Sequence, residues 1–451
     1  MTTNRRWVGA ALIRAALLTP LSLSTVGAQA QVAQILPTAQ PNVMVIVTDD
    51  QREGLEVMAK TRAAFESDGR FYDNAFVTTP LCCPARASIM TGKYVHNHGV
   101  MSNGEQDWKD LNHSETVQAY LHDQGYRTAL FGKFLNHWPV EMDPPNFDEW
   151  ALLPDVTGRL GYYDSKWNVD GTVKKISRYS TRYLSDTTVD FIEAQEVSDD
   201  TPWYVYLATG AAHRSFVAEP KYAGAAVPRW GGNAAVFEKD RSDKPSYVRN
   251  ADFTFKEGRT LRARQFRTLM SVDDLVGRIV ATIDSLDEDT LILFTSDSGY
   301  MWGEHGLANK QVPYVQSIEN VMWLRWANHA SGTHDERIVS NVDILPTIAA
   351  AVGFSVTTDG RNLLDDSWDR DRILLEYFGD DHAPTIPRWA STWTPEGQYI
   401  EYYSAGGDLI DREYYDLIAD PWQLKNLKSP PDSTWRTRLM ADRQCSGATC
   451  P

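Results

Sequence analysis

The chain has 451 residues with a formal net charge of −16 and 42% hydrophobic residues, enough for one large globular unit plus a smaller one. So acidic a chain is a poor match for nucleic acid or an anionic membrane surface, and any anionic substrate must be held by local cations against an unfavourable long-range field. Four cysteines exclude a disulfide-built scaffold.

The N-terminus carries Arg5, Arg6 and Arg14, then an apolar stretch from Ala15 to Val26 and an Ala28-Gln29-Ala30 site. That pattern predicts a secretory signal peptide over residues 1–30 and a secreted or periplasmic protein. No later stretch is long and apolar enough to predict a membrane span.

Asn42–Val47 is a continuous apolar run of the kind buried on both faces of a parallel sheet, and it ends in Thr48-Asp49-Asp50. Adjacent carboxylates there either cap the next segment or serve a site at the strand end. Next comes the stretch with the most chemistry, Leu81-Cys82-Cys83-Pro84-Ala85-Arg86, followed by Thr91-Gly92. The run after Pro84 predicts a helix, with Cys82 just before its N-terminus. Free N–H groups and the helix dipole favour an anion there, and Arg86 can point back at the same spot. A cysteine phosphatase would need arginine six positions after its nucleophile, but those positions hold Ser88 and Ile89. His96 and His98 follow in a Tyr-x-His-Asn-His loop, where they either reach the pocket or hold the backbone.

Beyond a helical pattern at Thr116–Gln124, three more apolar runs each deliver an ionisable residue past their C-terminal end. Arg127–Phe131 leads to Lys133, Trp203–Ala208 to His213, and Thr290–Phe294 to Asp297 and Ser298, with Lys310 beyond. Residues 224–249 read as a long surface loop, and Phe266–Leu286 as a helix. Ligands in open α/β sheets collect at the carboxyl ends of strands. The expected fold is therefore α/β: a large doubly wound, mostly parallel sheet flanked by helices. Residues 338–352 predict an amphipathic helix. Short strands at Ile373–Phe378, Gln398–Tyr403 and Glu413–Leu417 then suggest a smaller C-terminal antiparallel α+β domain. The expected boundaries are 38–355 for the catalytic domain and 356–451 for the small one. If Cys82 and Cys83 belong to the site, Cys445 and Cys450 are left either to pair or to remain thiols on the tail.

The Cys-x-Pro-x-Arg spacing with Thr91-Gly92 resembles the signature of the type I sulfatases, within the alkaline-phosphatase-like superfamily. Gly132-Lys133, Lys310-Gln311-x-Pro313-Tyr314, Asp343-x-x-Pro346-Thr347 and Tyr415-Asp416-Leu417-x-x-Asp420-Pro421 match further family elements. The Cys-Cys-Pro form and the Gly-Lys-x-Leu-Asn arrangement ending at Asn136 resemble the N-acetylglucosamine-6-sulfatase branch. The resemblance implies that a formylglycine-generating enzyme converts Cys82 to formylglycine (3-oxoalanine), the nucleophile toward a sulfated small molecule or glycan. It also implies a metal site of Asp49, Asp50, Cys82, Asp297 and Ser298, with Arg86, Lys133, His213 and Lys310 as catalytic residues. Oxygen ligands select a hard cation, calcium in preference to magnesium. Two positions depart from the pattern: Ser298 stands where the family usually has an amide, and Leu135 where many members have histidine. The alternatives are a phosphonate or phosphate ester hydrolase of the same superfamily, and a secreted carbohydrate-binding homologue that has lost catalysis.

Overall fold

The computed structural model describes residues 40–154, 158–197, 201–327 and 332–451, so the expected leader over residues 1–30 lies outside it. In chain order the strands are β1 (Asn42–Thr48), β2 (Gly69–Phe76), β3 (Arg127–Lys133), β4 (Glu149–Leu153), β5 (Ser165–Val169) and β6 (Thr172–Ile176). They continue with β7 (Trp203–Ala208), β8 (Thr290–Ser296), β9 (Met301–Trp302), β10 (Ala308–Asn309), β11 (Met322–Arg325) and β12 (Thr333–Ser340). The last four are β13 (Ile373–Tyr377), β14 (Arg388–Thr394), β15 (Gly397–Tyr403) and β16 (Leu409–Asp416).

Ten strands form the large sheet in the order β12-β2-β11-β8-β1-β7-β3-β4-β5-β6. Its centre, β8-β1-β7-β3-β4, is parallel throughout. β11 runs antiparallel to both β8 and β2, and β5 and β6 close the far edge as antiparallel strands. Every residue of β1 is buried because its alternate side chains enter two separate cores. Met44 and Ile46 pack with the buried face of the Phe255–Leu286 helix, while Val43, Val45 and Val47 meet the Cys82–Thr91 and Ile344–Val352 helices. Each such side chain contributes roughly 1.5–3 kcal/mol on burial, which is why the run carries no polar face.

The Phe255–Leu286 helix starts earlier than its apolar period suggests. Thr254 and Glu257 close a capping box that extends it by three turns of mostly polar sequence. The helix expected over 338–352 begins only at Ile344. Ile338–Ser340 pair in parallel with Asn74–Phe76, where β-branched side chains favour a strand, and Ser340 with Asp343 caps a short 3-10 turn between them.

The C-terminal sheet is antiparallel in the order β13-β14-β15-β16, and β14 is a strand that the sequence reading had missed. Both sheets lie in one compact unit, Gln40–Pro451. The small sheet braces the segment that carries Lys310. Trp389 donates from its ring nitrogen to the Gln311 carbonyl at 2.9 Å, and the Gln398 amide donates to the Pro313 carbonyl at 2.8 Å. Cys445 and Cys450 form a disulfide. No helix among the described residues is long and apolar enough to cross a membrane.

Candidate active site

The carboxyl ends of β1, β3, β7 and β8 converge with the first turn of the Cys82–Thr91 helix. That helix begins at Cys82 itself rather than just after it, because proline costs nothing in a first turn. Leu81 offers no side-chain cap, and the Asn103 side chain accepts the Cys83 N–H at 2.9 Å instead.

At the end of β1 the chain turns at Asp50, whose φ of 65° is a left-handed conformation that aspartate tolerates. Successive side chains of a strand point to opposite faces. This turn instead lets Asp49 and Asp50 present oxygens to one place, where ligand atoms of Asp49, Asp50, Cys82 and Asp297 all lie within 4.8 Å of one another.

Three buried cations match the three carboxylates. Lys133 donates to Asp49 Oδ2 at 2.7 Å. Arg86 donates from Nε to Asp297 Oδ2 at 2.8 Å and from a terminal nitrogen to the Lys133 carbonyl at 2.9 Å. Lys310 donates to Asp50 Oδ1 and, at 2.7 Å, to Cys82 Sγ. Gly132 makes the Lys133 position accessible: a Cβ there would sit 1.8 Å from the Ala208 carbonyl oxygen, and its φ is +108°.

Mutual pairing sets the charge states. Burial alone would raise the Asp49 carboxyl, but Lys133, His213, Arg86 and Lys310 outweigh it and hold it well below the usual carboxylate range. Burial would likewise discharge the cations. Asp297 keeps Arg86 charged, Asp49 keeps Lys133 charged, and Asp50 keeps Lys310 charged. The Cys82 thiol is different: burial pushes it up to about 11 despite the two lysines, so at neutral pH it is a protonated thiol and a poor nucleophile as it stands.

His213 is the most exposed of the group, with 21% of its side chain accessible, and forms the mouth of the site. Its Nδ1 donates to the Arg214 carbonyl at 2.8 Å, which leaves Nε2 directed inward, 3.8 Å from Asp50 Oδ2. Tyr162 pins the backbone by donating to the His213 carbonyl at 2.5 Å.

The donor set suits a divalent hard cation. Among the described residues the Cys82 thiol faces Asp49 Oδ1 at 3.8 Å, and the His213 ring faces Asp50 Oδ2 at the same distance. The Asp49, Asp50 and Asp297 carboxylates thus offer oxygen atoms within 4.8 Å of one another, the ligand type a hard cation takes. The Ser298 hydroxyl is turned toward Asp50, donating to Oδ1 at 2.9 Å.

Every sequence-predicted site residue is therefore in one buried cluster or, for His213, at its mouth. His96 and His98, left open between the pocket and the backbone, hold the backbone instead. His96 binds Glu376 and the Cys445 carbonyl, tying down the disulfide-closed tail. His98 lies between Ser88 Oγ and the Val100 N–H. Leu135 is buried in the hydrophobic core. The sequence reading missed Asn103, Tyr162 and Gln265, whose amide donates to the Asp50 carbonyl at 2.7 Å. Gln265 lies one residue before the helix as the sequence was read, so it too carried no signal.

The sulfatase family profile matches residues 41–354. The chain is 29% identical to the human N-acetylglucosamine-6-sulfatase, over 92% of this chain and 86% of that protein. It is 24% identical to an N-acetylglucosamine-6-O-sulfatase of Bacteroides thetaiotaomicron, over 91% and 86%. Its fold is similar to that of BT4656 in complex with its substrate D-glucosamine-2-N,6-O-disulfate, with a TM-score of 0.76 and 21% identity over 89% of this chain and 96% of the other. It is also similar to the phosphonate monoester hydrolase of Agrobacterium radiobacter, with a TM-score of 0.69 and 22% identity over 89% and 94%. With the family profile spanning the whole stretch from β1 to the Ile344–Val352 helix, the chain belongs to the sulfatase family and is a sulfuric ester hydrolase.

Proposed function

We propose that the protein is a secreted sulfatase that hydrolyses sulfate monoesters of carbohydrates, with Cys82 converted to formylglycine and calcium held by Asp49, Asp50 and Asp297. The observation that carries this reading is the Cys82 side chain. It contacts the Lys310 ammonium at 2.7 Å and the Asp49 carboxylate at 3.8 Å, yet as a thiol burial pushes it up to about 11, which makes it a poor nucleophile. A converted side chain at that point supplies, as its hydrate, one hydroxyl to attack sulfur and a second whose collapse to the aldehyde expels sulfate. A divalent cation bound there adds Lewis acidity toward the sulfuryl oxygens.

The protein's own groups do the rest. Lys133 and Lys310 stand beside residue 82 and neutralise charge on the sulfuryl oxygens, which grows in the transition state. Arg86, with no exposed surface, fixes Asp297 and so orients the acceptor of the nucleophile's proton. His213 holds Nδ1–H on the Arg214 carbonyl, and its Nε2 carries the proton delivered to the departing alcohol. Ser298 acts through Asp50, by the hydrogen bond it donates. The small-sheet region, residues 356–451, serves this centre by bracing the Lys310 turn.

The relatives' names, together with the stretch from Gly132-Lys133 to Asn136, support a 6-O-sulfated amino sugar as substrate. The shared fold with a phosphonate monoester hydrolase keeps phosphonate esters in the comparison. The test is the mass of the peptide carrying residue 82, on protein from a host with the converting enzyme, alongside sulfate and phosphonate release from a panel of esters. Formylglycine together with sulfate release is expected. An unmodified thiol in an active enzyme, or faster phosphonate than sulfate hydrolysis, would overturn the reading.

A further inference from the structure

A cavity of about 990 Å³ flanks the site and is built from the residues next to it in sequence. Arg214 follows His213, Tyr300 lies two residues past Ser298, and Asn309 precedes Lys310. The Phe255–Leu286 helix forms the opposite wall, contributing Lys256 and Arg264, eight residues apart and hence on one helical face.

Three cations thus line a cleft in a protein of net charge −16. Glu257, its one acid, is committed to Thr254, accepting hydrogen bonds from the Thr254 backbone and hydroxyl. None of Arg214, Lys256 and Arg264 is in an ion pair among the described residues; Arg264 makes one contact, a 3.3 Å hydrogen bond to the Ser215 carbonyl. A separate cavity of about 600 Å³ has the reverse balance: Asp107, Asp380 and Asp381 against Arg388.

We propose that the cationic cleft is a second anion subsite, which binds a sulfate or carboxylate on the sugar unit next to the one whose sulfate is cleaved. The inference rests on the carbohydrate-sulfate reading above and extends it to the substrate class: an oligosaccharide bearing more than one negative charge, oriented by attraction to the cationic cleft. The three cations attract such a group through solvent, so the selectivity is additive across them and sensitive to salt.

The experiment compares one 6-O-sulfated amino sugar as a monosaccharide and as a disaccharide carrying a further sulfate or carboxylate. The variants are Arg214→Gln, Arg264→Gln and their double, with Lys428→Gln as a control on the C-terminal segment. The wild type is expected to favour the disaccharide in kcat/KM, and the double variant to shrink that preference about tenfold or more. Raising the salt concentration should do the same to the wild type, and Lys428→Gln should leave the preference intact. The Arg214 backbone carbonyl that holds His213 is retained in every variant. An equal fall for both substrates would mean that Arg264 merely supports the His213 loop, and no change would mean that the cleft is idle; either overturns the subsite. If the wild type releases no sulfate at all, the functional reading fails instead. Fluorescence anisotropy of the labelled disaccharide on the wild type and the double variant then decides the subsite by itself.

Discussion

Replacing Lys133 with methionine should slow the enzyme and tighten its grip on a divalent cation, two effects that ordinary damage to the site would not combine. The Lys133 ammonium is buried and donates to Asp49 Oδ2 at 2.7 Å, so its loss leaves a buried carboxylate without its nearest countercharge. Breaking a buried pair in this way costs about 3–5 kcal/mol. In a folded unit of this size that lowers the melting temperature of chelator-treated protein by about 3–5 °C. A cation bound among ligand atoms that lie within 4.8 Å of one another feels that same ammonium. At about 5 Å and an effective dielectric near 20 the repulsion is of order 3 kcal/mol per unit charge, so calcium affinity should rise at least a hundredfold. Activity should fall about 10²–10³-fold, as when one oxyanion partner is removed. Calorimetric titration of calcium into chelator-treated Lys133→Met, thermal melts with and without calcium, and sulfate release measure the three quantities. Calcium affinity that falls together with activity would refute the reasoning and make Lys133 a residue that only positions Asp49.

The remaining predictions concern the supports of the site. His98 is buried neutral and pushed down to about 3 from 6.5, so the folded state binds fewer protons than the unfolded one between those values. The stability it contributes is present above pH 6.5 and lost as pH falls toward 3, about 2 kcal/mol of it by pH 5; His98→Asn should flatten the pH dependence seen in urea melts. Gly132→Ala should cost several kcal/mol and abolish activity, since its methyl would meet the Ala208 carbonyl at 1.8 Å; expression and circular dichroism report the first, sulfate release the second. Ser298→Ala deletes a buried 2.9 Å hydrogen bond to the Asp50 carboxylate and should lower the melting temperature without metal by about 2–3 °C and weaken calcium binding about tenfold in the same titration. Reducing the Cys445–Cys450 disulfide, which spans five residues, should cost about 2 kcal/mol by loop entropy and loosen the tail that His96 and Asn97 hold through the Cys445 carbonyl; hydrogen exchange over residues 440–451 checks it.

The central strands were legible because each is apolar along its whole length and stops at a polar turn: Asn42–Val47, Arg127–Phe131, Trp203–Ala208 and Thr290–Phe294 all fall within observed strands. The edges were not. β2 alternates Phe71 and Tyr72 with exposed Asp73 and half-buried Asn74, and β6 is exposed along most of its length, so neither carries a period strong enough to read. The site residues could be found because chemistry confines them to strand ends and to one motif. Their supports could not, for a physical reason. Asn103 and Tyr162 act through single hydrogen bonds to backbone atoms that are distant in sequence, and any polar side chain at a loop tip looks the same until the fold brings it round. For His96 and His98 the sequence left two alternatives open, and the short helix at Val95–His98 places them on the second: they hold backbone, His96 at the Cys445 carbonyl and His98 at the Val100 N–H.

An acidic protein that must hold an acidic substrate faces an electrostatic conflict, and the cluster resolves it locally. Asp49, Asp50 and Asp297 are balanced one for one by Arg86, Lys133 and Lys310, so the cage is close to neutral before any ligand enters. A cage with surplus carboxylates would bind a cation tightly but repel the sulfate; one with surplus lysines would do the reverse. Near neutrality lets a divalent cation bring net positive charge with it, and the anionic ester then binds to the sum. Arg214, Lys256 and Arg264 line the cavity beside the His213 loop, so in the proposed subsite they offset the long-range repulsion of the −16 chain next to the cage. That arrangement favours substrates whose charges extend along one direction from the scissile sulfate over compact esters of the same total charge.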